Sequence, residues 1–408
     1  MIRFFFYTTC ISLFFPNNLS AQSIPLTENS FAKTYSFVHP VFNRIQNTAG
    51  LDSFFYKLYK LKATGQGVVS VVHIGDSHIQ ADYLSGVVRN DLQQYFGNAG
   101  RGLVFPYQLA QSNAPQDISS SSNTKWTFNR VAHPEIPVAY GISGYGIKTD
   151  TDGASVSFSL QPDGSGIQSF NRLRFFFDSS QANLWLLQTE NIAVPFVIKK
   201  DSSRLLYNEV LLDSAASSFS LVSLPSGNTK EFYGVLLENS NSGILYHTIG
   251  VNGARYDHYN KADLFWKQLT ALNADLFIIS LGTNEAQGTS FNEGSFRKEV
   301  SLFIQKLKIA SPGASVLITT AADSYKRRKL NTVLRQINTT LVNYADENNI
   351  PLWDLYRVTN GHGSAYSWSG RGLMNKDRIH FTAEGYRIQG GLLFSALAKG
   401  YNSFISNY

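Results

Sequence analysis

The sequence predicts an α/β protein in which helices cover both faces of a parallel sheet and an all-β module interrupts the chain. Two observations support this fold class. Near both ends of the chain, short β-branched or apolar runs alternate with helically spaced apolar residues, which is typical of a parallel sheet. Between residues 117 and 246 only short strand-like runs remain. We therefore expect a discontinuous α/β domain, residues 22–116 and 247–408, with a β-sandwich or jelly roll inserted at 117–246.

The elements of the α/β part follow from their apolar spacing. A buried strand begins at Val68 and stops at Gly75, and a helix is predicted over 82–96, where apolar residues recur at intervals of three and four. Strands and helices alternate again after the module. Further strands are predicted at 246–251, 275–281, 315–320 and 351–355, and further helices at 259–272, 296–310, 330–347 and 383–398.

The inserted module is predicted from short alternating or apolar runs, most of them bounded by Gly, Pro, Asn, Asp or Ser. These runs cover 155–160, 172–177, 184–187, 195–198, 218–224 and 231–238. Its aromatic residues Trp126, Trp185 and Tyr233 are suited either to stacking on sugar rings or to filling the sandwich core. We favour the core.

The first 21 residues resemble a secretory signal rather than part of the fold. One basic residue precedes an apolar stretch over 4–15, and small residues end at Ala21. The apolar stretch is shorter than the roughly 20 residues needed to span a bilayer. We expect cleavage after Ala21 and an exported protein, periplasmic or secreted. Because Cys10 is the only cysteine, the mature chain would contain no disulfide and no thiolate.

Composition and charge exclude several classes of partner. The 43% hydrophobic and 16% charged content is globular, and a net charge of +6 is modest for 408 residues. The only basic run, 326–329, is typical of a solvated helix start, so no nucleic acid partner is expected. No segment beyond the signal is apolar enough to span a membrane. The histidines show no metal-ligand spacing, and we predict neither metal nor cofactor.

Residues capable of chemistry follow the predicted strands. The first strand leads into Gly75-Asp76-Ser77-His78, and the strand after the module leads into Gly253. Asn284 follows the next strand, and Asp377-Arg-Ile-His380 lies in a late loop. Because ligands bind at the carboxyl ends of strands in such sheets, we expect these residues to meet at one edge.

Each of these residues has a role in a serine-based acyl transfer. Ser77, at a helix N-terminus, is a nucleophile if a base removes its proton. His380 is the candidate base, and Asp377 holds its other ring nitrogen. The backbone N–H of Gly253 and the side-chain N–H of Asn284 can donate to an oxyanion. The catalytic triad is therefore predicted as Ser77, Asp377 and His380, and the oxyanion hole as Ser77, Gly253 and Asn284.

Plainer roles remain open for some of these residues. Ser77 and Asn284 are also good helix caps, and Gly253 is also suited to a turn. Asp76 is expected to bond local backbone rather than act in catalysis. His78 stands beside the nucleophile, but we expect it to pack or to line the pocket rather than serve as the base.

The four blocks Gly-Asp-Ser, Gly, Gly-x-Asn and Asp-x-x-His, in that order, resemble those of the SGNH (GDSL) hydrolases. The resemblance covers residues 68–100 and 246–400. It implies a flavodoxin-like α/β/α sheet, with Ser77 as nucleophile, the same oxyanion donors, and Asp377 and His380 as the other triad members. Glu285 stands where many members of the family have Asp.

A narrower resemblance comes from the run Gly75-Asp-Ser-His-Ile-Gln-Ala-Asp82 together with a β-module between the first two blocks. Both features are similar to those of bacterial peptidoglycan O-acetylesterases, in which the insert resembles a carbohydrate-binding module. The resemblance implies an acetylated glycan, peptidoglycan first, as substrate. Three alternatives remain: an esterase or acetyltransferase acting on another acetylated polysaccharide, a non-catalytic glycan-binding protein, and a phospholipase with an apolar mouth around Ser77.

Overall fold

The computed structural model describes residues 23–26, 28–162, 168–177, 179–192, 194–199 and 206–408. The predicted signal, residues 1–21, lies outside this part. The strands are β1 Ile45–Gln46, β2 Val68–Gly75, β3 Gly102–Val104, β4 Ile118–Ser121, β5 Thr127–Arg130, β6 Tyr145–Thr149, β7 Ser155–Leu160, β8 Phe170–Phe176, β9 Trp185–Thr189, β10 Phe196–Val197, β11 Asn208–Ala216, β12 Ser218–Ser223, β13 Lys230–Phe232, β14 Gly234–Glu238, β15 Gly243–Gly250, β16 Leu276–Ser280, β17 Ser315–Thr319, β18 Tyr325–Lys326, β19 Lys329–Leu330 and β20 Leu352–Trp353. The α-helices are α1 Glu28–Thr34, α2 Asp52–Thr64, α3 Ser77–Gln80, α4 Tyr83–Phe96, α5 Tyr256–Asn260, α6 Asp263–Leu269, α7 Thr283–Gln287, α8 Glu293–Ala310, α9 Thr332–Glu347, α10 Leu355–Val358, α11 Ser364–Gly370 and α12 Ala383–Asn407.

A six-stranded sheet organises the α/β part in the order β1-β20-β17-β16-β2-β15. The last five of these strands are parallel, and β1 pairs antiparallel with β20 at the edge. Numbered along the chain, the parallel strands have the flavodoxin-like order 2-1-3-4-5. Gly75 pairs with both Gly250 and Ser280, so β2, β15 and β16 end level with one another. Their carboxyl ends therefore form one edge, as the sequence predicted.

Each face of this sheet has its own hydrophobic core. Alternate residues of β2 divide between them: Val69 and Val71 join one core, and Val72 and Ile74 join the other. The first core contains side chains of α2, α4 and α12, and the second contains side chains of α5, α6, α8 and α9. The second core continues into the antiparallel part of the chain. Burial on both faces explains why these strands are almost wholly apolar.

The antiparallel strands between residues 102 and 238 form three sheets, with the orders β10-β9-β12-β7-β4, β11-β8-β14-β3 and β13-β6-β5. Phe219 of the first sheet packs against Phe170 and Phe175 of the second, each at a ring-centroid distance of 5.7 Å. These sheets are consistent with an inserted β-module built as a sandwich. Trp126, Trp185 and Tyr233 are 7%, 0% and 3% exposed, which confirms that they fill the core.

A buried cluster of charged residues joins the two parts of the structure. Asp82, at the start of α4, and Asp117, just before β4, both pair with Arg89 and Arg101. All four side chains are at most 9% exposed. An unpaired charge is costly to bury. The two arginines and the two aspartates therefore depend on one another for charge compensation. The domain boundaries at 117 and 246 stay predictions, although β3 precedes residue 117 and already pairs with β14 of the antiparallel part.

The helix predicted over 259–272 is interrupted in the structure. It consists of α5, α6 and a 3₁₀ turn at Thr270–Leu272, with Ala262 in a non-helical conformation between the two α-helices. The indole of Trp266 donates to the carbonyl of Tyr259, and Lys306 donates to the carbonyl of Asn260. A continuous helix would have bonded these two carbonyls internally, and at the break the side chains of Trp266 and Lys306 donate to them instead.

Candidate active site

The first element of the site is the turn from β2 into α3. Ser77 is the first residue of α3, and Asp76 before it is the N-cap, with Oδ1 accepting from His78 N at 2.9 Å. Asp76 therefore bonds local backbone, as expected from the sequence. The helix is capped by Asp76 rather than by Ser77, so the Ser77 hydroxyl is left for another partner.

That partner is His380. Ser77 Oγ lies 2.8 Å from His380 Nε2, and His380 Nδ1 lies 2.7 Å from Asp377 Oδ2. Because the Asp377 carboxylate can only accept, Nδ1 carries the ring proton and Nε2 is left free to receive the proton of Ser77. The structure thus brings all three residues of the predicted triad together in hydrogen-bonding order.

A short loop before α12 presents Asp377 and His380. Arg378 has a left-handed backbone with φ of 55°, and its carbonyl accepts from Tyr325 N at 2.9 Å. The carbonyl of His380 accepts from Asn375 N at 2.8 Å, and Thr382 caps α12. These bonds hold both ends of the loop and so restrict where the imidazole can point.

Hydrogen bonding keeps Asp377 ionised. Its partial burial opposes ionisation, but donation from the His380 ring and from the backbone N–H groups of Ile379 and His380 outweighs that cost. The pKa of Asp377 is therefore held below its usual range. An ionised carboxylate at this position stabilises the imidazolium that forms when Ser77 gives up its proton.

Backbone donors converge next to the nucleophile. Within the described residues, neither Ser77 N–H nor Gly253 N–H has an acceptor in the protein. Gly253 follows β15 in a turn with φ of 81°, a conformation that glycine adopts without strain. Asn284 is also at the site, but its Nδ2 donates to Ala254 O at 2.9 Å and to Asp76 Oδ2 at 3.3 Å. Both N–H groups of this amide therefore have acceptors in the structure, and its oxyanion role stays a prediction.

A cavity of about 450 Å³ opens above these groups. Ser77, Gly253, Asn284, Asp377 and His380 all line it. The rest of its lining is rich in amides and aromatic rings: Tyr83, Asn113, Asn252, Gln287, Asn375, Phe381 and Tyr386. The predicted site residues therefore share one solvent-accessible pocket at the carboxyl ends of the strands.

Sequence reasoning missed the residue that accounts for His78. Tyr386 of α12 places its hydroxyl 2.9 Å from His78 Nδ1, and the His78 ring lies 5.2 Å from that of His380. Burial, followed by the proximity of His380, lowers the pKa of His78 to about 3, so His78 is neutral. His78 packs against the His380 ring, as expected. Its contact with Tyr386 could not be predicted, because no sequence pattern distinguishes this tyrosine from the other residues of α12.

Two carboxyl groups beside the site have raised pKa values. Burial raises the pKa of Asp76 to about 7 and that of Glu285 to about 7. Glu285 Oε1 accepts from Tyr256 N at 2.9 Å, while its Oε2 is enclosed without a partner in the described structure. Neither carboxyl is hydrogen-bonded to Ser77 Oγ or His380 Nε2, although the charge of His380 acts on Asp76 and lowers its pKa in opposition to burial.

Within the described ranges, no group of three or more His, Cys, Asp or Glu side chains is arranged to hold a metal ion. None of the helices in the same ranges is both long and apolar enough to cross a bilayer.

Part of the chain matches a known protein family. Residues 220–388 match the sequence model of the GDSL-like Lipase/Acylhydrolase family. This span begins within the antiparallel part of the chain and includes Gly253, Asn284, Asp377 and His380, but it does not include Ser77. Residues 220–388 are therefore similar to GDSL-like lipases and acylhydrolases, and the α/β part of the chain has the fold of an SGNH hydrolase.

Solved structures show how far the fold extends. The chain is similar to a peptidoglycan O-acetylesterase, with 22% identity and a TM-score of 0.73, over 88% of this chain and 99% of that one. A GDSL-like lipase from Bacteroides thetaiotaomicron matches at 22% identity over 38% of this chain and 76% of its own, with a TM-score of 0.30. A family two carbohydrate esterase from Cellvibrio japonicus matches at 12% identity over 69% and 98%, with a TM-score of 0.29. No curated protein sequence matches the chain.

Proposed function

We propose that the protein is an exported serine esterase that removes O-acetyl groups from a glycan, most readily peptidoglycan, through an acyl-enzyme on Ser77. The observation that carries this proposal is the hydrogen-bonded series Ser77–His380–Asp377 beside two unengaged backbone donors. A hydroxyl, a neutral imidazole nitrogen and an ionised carboxylate in this order are the groups that acyl transfer requires.

In the proposed reaction, Ser77 Oγ attacks the acetyl carbonyl while His380 Nε2 takes the hydroxyl proton. The oxyanion is held by the N–H groups of Ser77 and Gly253 and by Asn284 Nδ2, each such donor contributing about 3–4 kcal/mol. Collapse breaks the bond to the sugar oxygen, which receives the proton from His380. Water, with His380 again as base, then attacks acetyl-Ser77 and releases acetate.

Two observations support a glycan as the substrate. The cavity above Ser77 is lined by amide side chains, which suit sugar hydroxyl and acetamido groups, and by aromatic rings, which suit the faces of sugar rings. The similar structure with a TM-score of 0.73 is a peptidoglycan O-acetylesterase. A glycan outside the cytoplasm agrees with the signal that the sequence predicts, and we propose export on that basis.

The test is acetate release from O-acetylated peptidoglycan by the mature protein, compared with Ser77→Ala and with Ser290→Ala, an exposed serine, as a matched control. We expect wild type and Ser290→Ala to release acetate equally, and Ser77→Ala to be slower by about 10³-fold or more.

Each other outcome overturns a distinct part of the proposal. If no variant releases acetate from peptidoglycan but 4-nitrophenyl acetate is cleaved, the substrate is another acetylated polysaccharide. If nothing is cleaved, a glycan-binding role replaces catalysis. If Ser77→Ala remains as active as wild type, Ser77 is not the nucleophile. Transfer of acetyl to an added acceptor sugar in preference to water would make the protein an acetyltransferase.

A further inference from the structure

A closed hydrogen-bond network lies directly behind the proposed oxyanion hole. Its centre is Gln80, the last residue of α3, which is fully buried. Gln80 Oε1 accepts from Tyr145 Oη at 2.8 Å and from Asn252 N at 2.9 Å. Gln80 Nε2 donates to Ser112 Oγ at 2.7 Å and to Asn113 O at 2.8 Å. All four hydrogen-bonding positions of this amide are therefore occupied.

Ser112 closes the network without conflict between donors. Its Oγ accepts from Gln80 Nε2 and, at 3.1 Å, from Asn252 Nδ2. It also lies 3.1 Å from Tyr145 Oη, to which it can donate its own proton. Since Tyr145 donates its proton to Gln80, each of the two hydroxyls donates one hydrogen bond, and the donors and acceptors of the network are mutually consistent. The amide of Gln80 and the hydroxyl of Tyr145 are buried, so this part of the network is rigid, whereas Asn252 Oδ1 has no partner within the described residues.

Asn252 is the residue that this network holds. Its backbone N–H donates to Gln80 Oε1, and its side-chain Nδ2 donates to Ser112 Oγ. The next peptide N–H belongs to Gly253, the proposed oxyanion donor, which is in a turn with positive φ. With Asn252 fixed at two points, only its ψ angle and the φ angle of Gly253 set the direction of that N–H.

Tyr145 reaches this network from the antiparallel part of the chain. It is the first residue of β6, is fully buried, and packs against Phe105 and Tyr107 at ring-centroid distances of 5.2 and 5.3 Å. We propose that Tyr145 and Gln80 are positioning residues for the esterase, holding Asn252 so that the Gly253 N–H points at the developing oxyanion. The proposal rests on the function proposed above, and it gives the antiparallel module a part in catalysis besides any part in binding glycan.

The test compares Tyr145→Phe and Gln80→Met with Tyr233→Phe, a buried tyrosine of the same module that bonds Glu231 instead. Two small reactants, 4-nitrophenyl acetate and a fluorophosphonate ester, make no use of a glycan-binding surface. The fluorophosphonate phosphorylates Ser77 Oγ with loss of fluoride, and its phosphoryl oxygen takes the place of the oxyanion. Hydrogen exchange of the Asn252 amide is followed in the same samples, after thermal unfolding shows that each variant is folded.

For Tyr145→Phe we expect kcat on the acetate and the rate of phosphorylation to fall by about tenfold or more, with KM little changed. The Asn252 amide should exchange faster, because its acceptor has lost a supporting bond. Gln80→Met should be more severe, and Tyr233→Phe should match wild type.

Unchanged turnover and unchanged exchange in Tyr145→Phe would overturn the proposal. A rise in KM for glycan alone would also overturn it and would assign the module to substrate binding. If the wild-type protein is not phosphorylated at Ser77, the esterase function itself fails. In that case the exchange data still decide whether Tyr145 holds the loop.

Discussion

Replacing Asp377 by Asn isolates the contribution of one carboxylate to the proposed reaction. The amide of this variant would retain an oxygen for the backbone N–H groups of Ile379 and His380, from which Asp377 Oδ1 now accepts. In place of Oδ2, 2.7 Å from His380 Nδ1, the variant would present an amide N–H. The imidazole would then carry its proton on Nε2, facing Ser77, and could not act as the base until the tautomer reverts.

The size of the effect follows from the exposure of this pair. A carboxylate and an imidazolium about 4 Å apart attract by about 1 kcal/mol in water and about 4 kcal/mol at the effective dielectric of a protein surface. The Asp377 side chain is 46% exposed, so a value between these limits applies. A loss of about 2–3 kcal/mol corresponds to a fall in kcat of roughly a hundredfold.

The assay is steady-state hydrolysis of 4-nitrophenyl acetate at pH 8 by wild type, Asp377→Asn and Glu384→Gln. Glu384 is an exposed carboxylate in the first turn of α12 and controls for a simple change of charge near the site. The reasoning is refuted if Asp377→Asn loses less than about threefold in kcat, or loses no more than Glu384→Gln.

Two further predictions concern stability. Gly250→Ala should lower the free energy of unfolding by about 3 kcal/mol, because an added Cβ would lie 2.2 Å from Gln80 N. Gly313→Ala is the control, because a Cβ added there would have no atom within 4 Å. Equal thermal unfolding midpoints for the two variants would contradict the close approach of α3 to β15. Glu285→Gln should stabilise the protein by about 3 kcal/mol at pH 8 and by little near pH 4. Burial raises the Glu285 pKa to about 7, so as the pH rises through this window the unfolded chain loses a proton that the folded chain retains, and wild-type stability falls. Urea unfolding of wild type and Glu285→Gln at the two pH values measures the difference in their free energies of unfolding. A difference that does not depend on pH would exclude ionisation of Glu285 as its cause.

The sequence predicted the α/β part well where local spacing determines structure. The strand expected over 275–281 is β16 at Leu276–Ser280, and the helix expected over 296–310 is α8 at Glu293–Ala310. We did not predict α2, although its buried Phe54, Phe55, Leu58 and Leu61 repeat at intervals of three and four, which is a signal in the sequence. Within the module, β4, β5, β6 and β11 were missed because their sequences, such as the serine-rich β4 and the half-exposed β11, contain few apolar residues in strict alternation.

The site was predictable because parallel strands end together. That rule alone brought Ser77, Gly253 and Asn284 to one edge, and the order of the blocks added Asp377 and His380. The hydrogen bonds that hold these residues in place could not be predicted from the sequence. The bonds of Gln80 to Tyr145 and Asn252 connect a helix, a strand of another sheet and a loop, and no local pattern encodes such a meeting.

The distance along the chain between Ser77 and His380 has a consequence for when the protein becomes active. Their side chains meet across a separation of 303 residues. A chain emerging from the ribosome presents the serine early but completes the hydroxyl–imidazole pair only after the loop before α12 has been made and docked. Partly synthesised or C-terminally clipped forms would therefore contain a serine without its histidine partner and, under the function proposed above, would leave acetyl esters around them intact.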